Sequence, residues 1–319
     1  GKIDSWVNPN YRKHWPDVDQ RYATAVSRID SAVGDLQKLL EDLHISKDTL
    51  VVFTSDNGPS VESYIPHEPL RADFFESFGP FDGIKRDCWE GGEREPTLAW
   101  WPGHIPSGKV VTFPSISYDW LATFADAAGM PAPAESDGVS LLPELTGQGM
   151  QQNRGYLYVE YYEGGWTPDY KVFAPAHRWC KRGQMQAIRI GDYMGVRYNI
   201  KSPEDPFQIF RVDDDTHEAT NLATSLPGLE RQMRQRVLQV RRSNTSAPRP
   251  YDMMPVPASR ESVPTNGVVS YAVYDGNWPW VPEFSTMKPL KQGWAKGLNL
   301  DVRSRNENFG VLFEGYIHA

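Results

Sequence analysis

Residues 49–58 read TLVVFTSDNG, and this stretch decides the fold class. The apolar run at 50–53 is rich in β-forming residues and lies between polar ones, which is typical of a strand buried on both faces. A helix is predicted before it, because apolar residues recur every three or four positions between 19 and 44. A helix that leads into a buried strand is half of a βαβ unit, so we expect an α/β protein with a mostly parallel sheet and helices on both faces.

The chain divides into parts of different texture. Residues 1–155 belong to this partial α/β domain, in which 117–129 predicts a further amphipathic helix. Short alternating segments over 156–245 predict a small α+β subdomain at the carboxyl-terminal side, with an antiparallel sheet. The stretch 246–266 is rich in proline and poor in apolar residues, as linkers are, and 267–319 predicts a truncated β segment.

The composition excludes several classes of protein. The net charge is −8 and the pI about 5.4, so a global basic surface for nucleic acid is absent. No run of about 18 apolar residues occurs, and we therefore expect no membrane span. Two cysteines, Cys88 and Cys180, do not make a disulfide framework. Aromatic residues reach 12%, which fits either a large aromatic core or stacking on sugars.

Two oxygen-bearing side chains, Asp56 and Asn57, follow the predicted buried strand directly. Sites in open α/β sheets form beyond the carboxyl ends of the strands. A carboxylate next to an amide oxygen suits a hard divalent cation such as calcium or magnesium. Since Asp-Asn-Gly is also a common turn sequence, an ordinary turn is the alternative.

Lys85 is the second candidate, because it follows Gly83 and precedes the glycine pair at 91–92. A lysine beside a backbone that can turn tightly could hold an oxyanion as a compact point charge. The alternative is a solvated surface lysine. Arg94 stands among three glutamates, so an internal ion pair is its expected role.

Residues 55–58, which contain Asp56 and Asn57, are called the cation turn below. The segment 59–81 follows this turn and ends just before Lys85, so we expect it to lie over or beside the same site. It contains His67 and Arg71 together with several aromatic residues, and a loop of the smaller subdomain adds His177. Such a mixture suits an anionic sugar ring, and we expect these residues to select substrate. A purely structural role is the alternative for each of them.

Taken together, these segments resemble the arylsulfatase family, which has an alkaline-phosphatase-like fold. The resemblance covers about residues 11–245. It includes TLVVFTSDNG (49–58) and is strongest at GIK (83–85), WEGGEREP (89–96) and WPGHI (101–105). Four motifs in the expected order make the resemblance specific.

The resemblance implies roles for individual residues. Asp56 and Asn57 match ligands of a divalent cation, usually calcium, and Lys85 matches the lysine that contacts the sulfate group. Arg94 lies in a matched motif and receives a supporting role in substrate binding. The family also implies a sulfated carbohydrate or another sulfate ester as substrate and a periplasmic or extracellular location.

Departures from the family pattern concern the nucleophile. In this family it is a formylglycine made from Cys or Ser in a Cys/Ser-x-Pro/Ala-x-Arg motif. Neither Cys88 nor Cys180 has that context, so we expect the formylglycine, further metal ligands and a second sulfate-binding lysine upstream of this sequence. We therefore expect the chain to be inactive on its own. Glu93 and Glu95 flank Arg94 where the family more often has apolar residues.

The last part of the chain shows a second, weaker resemblance. Residues 274–278 (YDGNW) and 313–316 (FEGY) are similar to the opening strands of a PA14-type β-sandwich, a module that often binds sugars. The resemblance thus predicts a partial PA14-like module over 267–319.

Three functions compete at this point. The first is hydrolysis of a sulfate ester by the parent protein, with a carbohydrate as the expected substrate. The second is a phosphatase or phosphotransferase of the same fold, and the third is a non-catalytic carbohydrate-binding protein. The identity of the upstream nucleophile distinguishes the three.

Overall fold

The computed structural model describes residue 7 and residues 15–61, 68–257 and 267–316. Two compact units divide the chain. The first unit joins Gly1–Ser107 to Gly155–Pro257, and the second joins Gly108–Arg154 to Ala258–Ala319. The division into four segments expected from sequence stays a prediction.

The first unit begins with the predicted helix and strand, but the strand is half-buried among the described residues rather than buried on both faces. Helix α1 spans Asp17–Asp42, and strand β1 spans Val51–Phe53. Strand β1 pairs with β2, Leu98–Trp100, in an antiparallel ladder, and no strand parallel to β1 occurs among the described residues. An antiparallel edge strand is common on otherwise parallel sheets, so this pair is compatible with the predicted α/β class.

Helix α1 leaves most of its predicted apolar stripe uncovered by the described residues. Leu40 is buried, whereas Val26, Ile29 and Leu36 are 50%, 49% and 45% exposed. The helix is 26 residues long, but charged residues recur along it. No helix in the described part of the chain is both long enough and apolar enough to cross a membrane.

The predicted antiparallel subdomain is confirmed as a four-stranded sheet with the order β3-β4-β5-β6. Its strands are β3 (Leu157–Trp166), β4 (Lys181–Ile190), β5 (Tyr193–Arg197) and β6 (Gln208–Phe210). Because successive side chains of a strand point to opposite faces, the sheet has two packed sides. Helix α5 (Pro227–Val240) covers one side through Met233 and Val237, which pack against Ile188.

The opposite side of this sheet buries the segment that follows Lys85. Cys88 and Trp89 pack there against Met185, Ala187 and Val196. Trp89 is 1% exposed. Truncating a buried tryptophan to alanine lowers the free energy of unfolding by about 3–5 kcal/mol. The smaller subdomain therefore anchors the chain next to Lys85.

The described residues of the second unit form two α-helices and a three-stranded antiparallel sheet. The helix predicted at 117–129 is present as α3 (Asp119–Ala127), and α4 follows at Leu142–Thr146. The predicted carboxyl-terminal β segment is confirmed as strands in the order β8-β7-β9. Their bounds are Val269–Asp275 for β7, Lys291–Ala295 for β8 and Phe309–Glu314 for β9.

Candidate active site

Backbone hydrogen bonds join the two candidate motifs. The amide of Gly58 donates to the carbonyl of Gly92 at 2.9 Å, and the amide of Lys85 donates to the carbonyl of Pro59 at 2.8 Å. The turn that carries Asp56 and Asn57 therefore lies directly beside the loop of Lys85. The structure thus brings together all three residues assigned to metal and sulfate from sequence.

Close approach of backbones explains the glycines at this junction. A Cβ on Gly58 would lie 2.1 Å from the carbonyl oxygen of Gly91, and one on Gly92 would lie 2.3 Å from that of Asp87. Real Cβ atoms are never found so close to backbone oxygen. The sequence analysis attributed the glycine pair at 91–92 to a tight turn, but neither glycine has a positive φ. Among the glycines of this junction, Gly83 is the one with a positive φ, at +98°. Short helix α2 (Glu90–Glu93) carries both glycines.

The side chains of the cation turn differ in exposure. Asp56 is exposed, and Asn57 is half-buried with its amide nitrogen donating to the carbonyl of Gly58 at 2.9 Å. Its amide oxygen is then the end that could bind a cation. Burial, and to a smaller degree the charge of Asp56, raise the pKa of Glu95, which places a second carboxylate in electrostatic reach of this turn.

These donors fit a hard cation in kind but not in number. Calcium takes about six to eight oxygen ligands, and Asp56 and Asn57 supply two side chains. Within the part of the chain that the structure describes, no group of three or more His, Cys, Asp or Glu side chains could hold a metal ion. A complete site needs oxygen ligands from elsewhere in the protein.

Asp82, just before Lys85, ties this loop to the smaller subdomain. Its carboxylate is fully buried, and each oxygen lies 2.7 Å from a histidine Nδ1, one of His177 and the other of His217. The amide of Ala174 donates to the same carboxylate at 2.7 Å. Three donors compensate the cost of burying the charge, so the contact fixes the loop.

Asp87, just after Lys85, makes a second buried connection. Its carboxylate accepts hydrogen bonds from the hydroxyl of Thr167 at 2.7 Å and from the guanidinium of Arg182 at 2.8 and 3.1 Å. The amide of Ile84 donates to it at 3.1 Å. Lys85 itself is half-buried between these two anchored aspartates.

His177 has a structural environment. Its side chain is 3% exposed, its Nδ1 contacts Asp82, and its ring stacks on Trp89 with 3.8 Å between centroids. This placement favours the structural alternative over direct contact with a sugar. The substrate role expected from sequence stays a prediction.

The other candidate residues are placed as follows. Arg94 forms an ion pair with Glu90, which confirms the internal pair expected from its neighbours. Arg71 is exposed and pairs with Asp73 at 2.6 Å. His67 lies outside the described residues, and substrate binding by Arg71 and Arg94 stays a prediction.

Sequence reasoning missed Asp82, Asp87 and His217. The two aspartates flank Lys85 closely, and that position was the available signal. Their partners lie 80 to 135 residues further along the chain, so no local pattern connects them.

A buried glutamate, Glu218, lies against the amino-terminal end of α2. Glu218 is fully buried and accepts a hydrogen bond from the amide of Glu90 at 2.9 Å. Burial, and then the charge of Glu90, raise the pKa of Glu218 well above its ordinary value. Burial and the same neighbouring charge also raise the pKa of Glu93. The fold therefore holds protons that the unfolded chain releases.

Replacing Glu218 by glutamine is expected to make stability less dependent on pH. The folded pKa of Glu218 is raised, so wild-type stability is largest below the ordinary carboxyl pKa and falls as pH rises through the range up to the folded pKa. Glutamine still accepts from the Glu90 amide and does not titrate. The free energy of unfolding of Glu218→Gln relative to wild type should therefore increase with pH, by up to about 1.4 kcal/mol per pH unit.

Urea unfolding between pH 5 and pH 8 measures this difference. Glu41→Gln, at an exposed position on α1, is the matched control and should follow the wild type at every pH. A Glu218→Gln difference that stays constant with pH contradicts the assignment.

Neither cysteine has the properties of a nucleophile. Cys88 is 2% exposed, and burial together with Glu93 raises the pKa of its thiol well above the ordinary value. Burial raises the pKa of Cys180 to about 11. Because the thiolate is the reactive form, both thiols are unreactive near neutral pH.

Two family profiles match this chain. One, described as Sulfatase, matches residues 4–130, and one described as N-sulphoglucosamine sulphohydrolase, C-terminal, matches residues 77–243, more than half of the chain. The chain belongs to the sulfatase family. The four-stranded sheet and Trp89, which packs against it, both fall within the region of the second profile.

Curated relatives match a little under half of this sulfatase chain. It is 41% identical over 140 residues to N-acetylgalactosamine-6-sulfatase of Homo sapiens, covering 43% of the chain and 25% of that protein. It is 37% identical over 142 residues to human arylsulfatase A, covering 44% and 26%, and 34% identical over 139 residues to human steryl-sulfatase, covering 43% and 23%. The matched region is about a quarter of the length of these relatives.

Solved structures confirm the fold class. The crystal structure of Ps i-CgsB aligns with a TM-score of 0.53 at 24% identity, over 70% of this chain and 43% of that one. Its complex with k-i-k-neocarrahexaose aligns with a TM-score of 0.54 at 23% identity, over 72% and 45%. The mixed α/β arrangement is therefore part of the alkaline-phosphatase-like fold of sulfatases.

Proposed function

We propose that the protein to which this chain belongs hydrolyses sulfate esters, with Asp56, Asn57 and Lys85 in its active site. The observation that carries the proposal is the pair of backbone hydrogen bonds between the cation turn and the Lys85 loop. A divalent cation and an ammonium group that lie next to each other suit a tetrahedral anionic ester group, such as the singly charged sulfate monoester.

Lys85 is proposed to contact the sulfate oxygens of the substrate. Its ammonium group can donate to oxygens on which negative charge grows as the ester bond breaks. Asp82 and Asp87 hold the loop on both sides, so the lysine is positioned before substrate arrives. Preorganised charge costs little reorganisation during the reaction.

Asp56 and Asn57 are assigned a divalent cation, with calcium as the proposed ion. When bound, such a cation supplies positive charge to the sulfate oxygens. The remaining ligands and a formylglycine nucleophile are proposed to come from other parts of the whole protein. Neither Cys88 nor Cys180 lies in the Cys/Ser-x-Pro/Ala-x-Arg motif, which supports the second point.

A sulfated carbohydrate is the proposed substrate class. Support comes from one relative named as an N-acetylgalactosamine-6-sulfatase. Further support comes from exposed Trp166 and Trp179 beside Thr167, whose hydroxyl donates to Asp87 of the Lys85 loop. Strands β7 to β9 are proposed as the start of a PA14-like module, and a periplasmic or extracellular location is proposed with it.

Activity of the whole protein tests the proposal. Sulfate release from a sulfated sugar and from a small aryl sulfate is compared with phosphate release from the corresponding phosphate esters. We expect turnover of the sulfate esters to exceed that of the phosphates. Preference for phosphate would indicate a phosphatase, and no turnover of any ester would indicate a binding protein.

Replacing Asp56 by alanine is expected to remove calcium binding. The change deletes a direct charged ligand, so affinity should fall by at least about 100-fold, the upper end of the cost of losing a supporting residue. Calorimetry with calcium on the whole protein measures the affinity. Asp48→Ala removes the same charge at the exposed opposite end of β1 and should bind as wild type does. Equal affinity of Asp56→Ala and wild type would remove Asp56 from the site.

A further inference from the structure

Two exposed tryptophans lie on paired backbone segments of the smaller subdomain. Trp166 ends β3 and is 52% exposed, and Trp179 precedes β4 and is 63% exposed. The amide of Trp179 donates to the carbonyl of Thr167 at 3.1 Å, and the amide of Thr167 donates to that of Cys180 at 2.9 Å. The two indoles are therefore carried by one hydrogen-bonded junction.

This junction is fastened to the loop of Lys85. The hydroxyl of Thr167 donates to Asp87 at 2.7 Å, and the buried guanidinium of Arg182 donates to the same carboxylate at 2.8 Å. Arg86, between Lys85 and Asp87 in the chain, also pairs with Glu163 of β3 at 3.7 Å. The tryptophan junction and Lys85 thus share one buried anchor and are held in a fixed relation.

Both indoles leave much of their apolar surface in contact with water. A tryptophan can bury about 150–250 Å² of surface, and most of this potential remains in contact with water at both positions. Trp179 also has φ +54°, a region that bulky residues avoid.

Positive charge accompanies the rings. Lys181 pairs with Trp166 in the β3–β4 register, and its ammonium nitrogen lies 5.8 Å from the centre of the Trp166 ring. A flat ring next to a cation complements a sugar ring that carries a negative group. A purely apolar partner would leave this ammonium group without a counterpart.

We propose that Trp166 and Trp179 form a stacking subsite for a sugar of the sulfated carbohydrate substrate, with Lys181 facing an anionic group on it. The inference rests on the proposed function and adds the residues that select carbohydrate over smaller sulfate esters. The subsite binds a part of the substrate remote from the ester that Lys85 contacts.

Kinetics on the whole protein test this subsite. For Trp166→Ala and Trp179→Ala, kcat/KM on a sulfated oligosaccharide should fall about tenfold or more, mainly through KM, since one stacked ring contributes roughly one tenfold step. Activity on a small aryl sulfate should remain as in wild type. Trp166→Phe and Trp179→Phe, which keep a flat ring, should recover most of the loss.

Equal losses on both substrates would show a structural role and overturn the inference, as would unchanged kinetics on the oligosaccharide. Unfolding midpoints of the four variants identify any that fail to fold. Should the whole protein hydrolyse no sulfate ester, quenching of tryptophan fluorescence by the sulfated oligosaccharide separates the two proposals. Quenching that disappears in the alanine variants supports the subsite even without activity, and its absence in wild type contradicts the subsite.

Discussion

Replacing Lys85 by alanine is expected to lower kcat/KM for sulfate esters by about 100- to 1000-fold in the whole protein. The ammonium group would be lost where charge develops on sulfate oxygens, and removal of one such donor costs about 2.7–4 kcal/mol. The loss should be similar for a sulfated sugar and a small aryl sulfate, because both present the same ester group.

Two further variants serve as comparisons for Lys85→Ala. Lys85→Arg keeps the charge but changes its shape, so it should recover only part of the activity. Lys47→Ala removes an exposed lysine near β1 and should leave activity as it is in wild type. Unchanged kcat/KM in Lys85→Ala would exclude this lysine from the active site.

Replacing Gly92 by alanine is expected to damage both stability and activity. The new Cβ would lie 2.3 Å from the carbonyl oxygen of Asp87 and 2.6 Å from that of Ile84, and backbone atoms must move to relieve this contact. Overpacking of this kind costs about 1–3 kcal/mol or more. The Gly58–Gly92 hydrogen bond joins the cation turn to the Lys85 loop, so a shift of about 1 Å there can also cost roughly 100-fold in rate.

Gly34 offers a matched control for this substitution. It lies in the interior of α1, and a Cβ there would meet nothing within 4 Å. Gly34→Ala should therefore stabilise the protein by about 0.5–1 kcal/mol, because alanine restricts the unfolded chain and favours the helix. Urea unfolding and kcat/KM of the two variants measure the contrast. A Gly92→Ala variant as stable as wild type would contradict the close contact.

Local features of the site were predictable from sequence. Arg94 and Glu90 stand four residues apart, so their ion pair is a short-range interaction that neighbouring residue types reveal. Strand β1 was predicted because its apolar run is continuous, and its polar end marked Asp56 and Asn57.

Long-range features were not predictable in the same way. His177 lay in a loop by sequence, and a loop position permits contact with substrate or burial equally well. Only the approach of Asp82 and Trp89 from distant parts of the chain decided that its ring is buried. The carboxylates on either side of Lys85 gained their meaning from partners that periodicity cannot identify.

By itself, the sequence determined the helix α1, the strand that follows it and the antiparallel subdomain, and it named the candidate residues of the proposed cation and sulfate site. Periodicity and residue chemistry are properties of neighbouring residues, which is why these conclusions needed no coordinates. The tertiary structure alone decided that the Gly58 turn and the Lys85 loop share hydrogen bonds, and that Asp82 and Asp87 hold this loop to the four-stranded sheet. Such contacts depend on where the folded chain brings distant segments together, because a buried carboxylate is stable only where donors from other segments surround it.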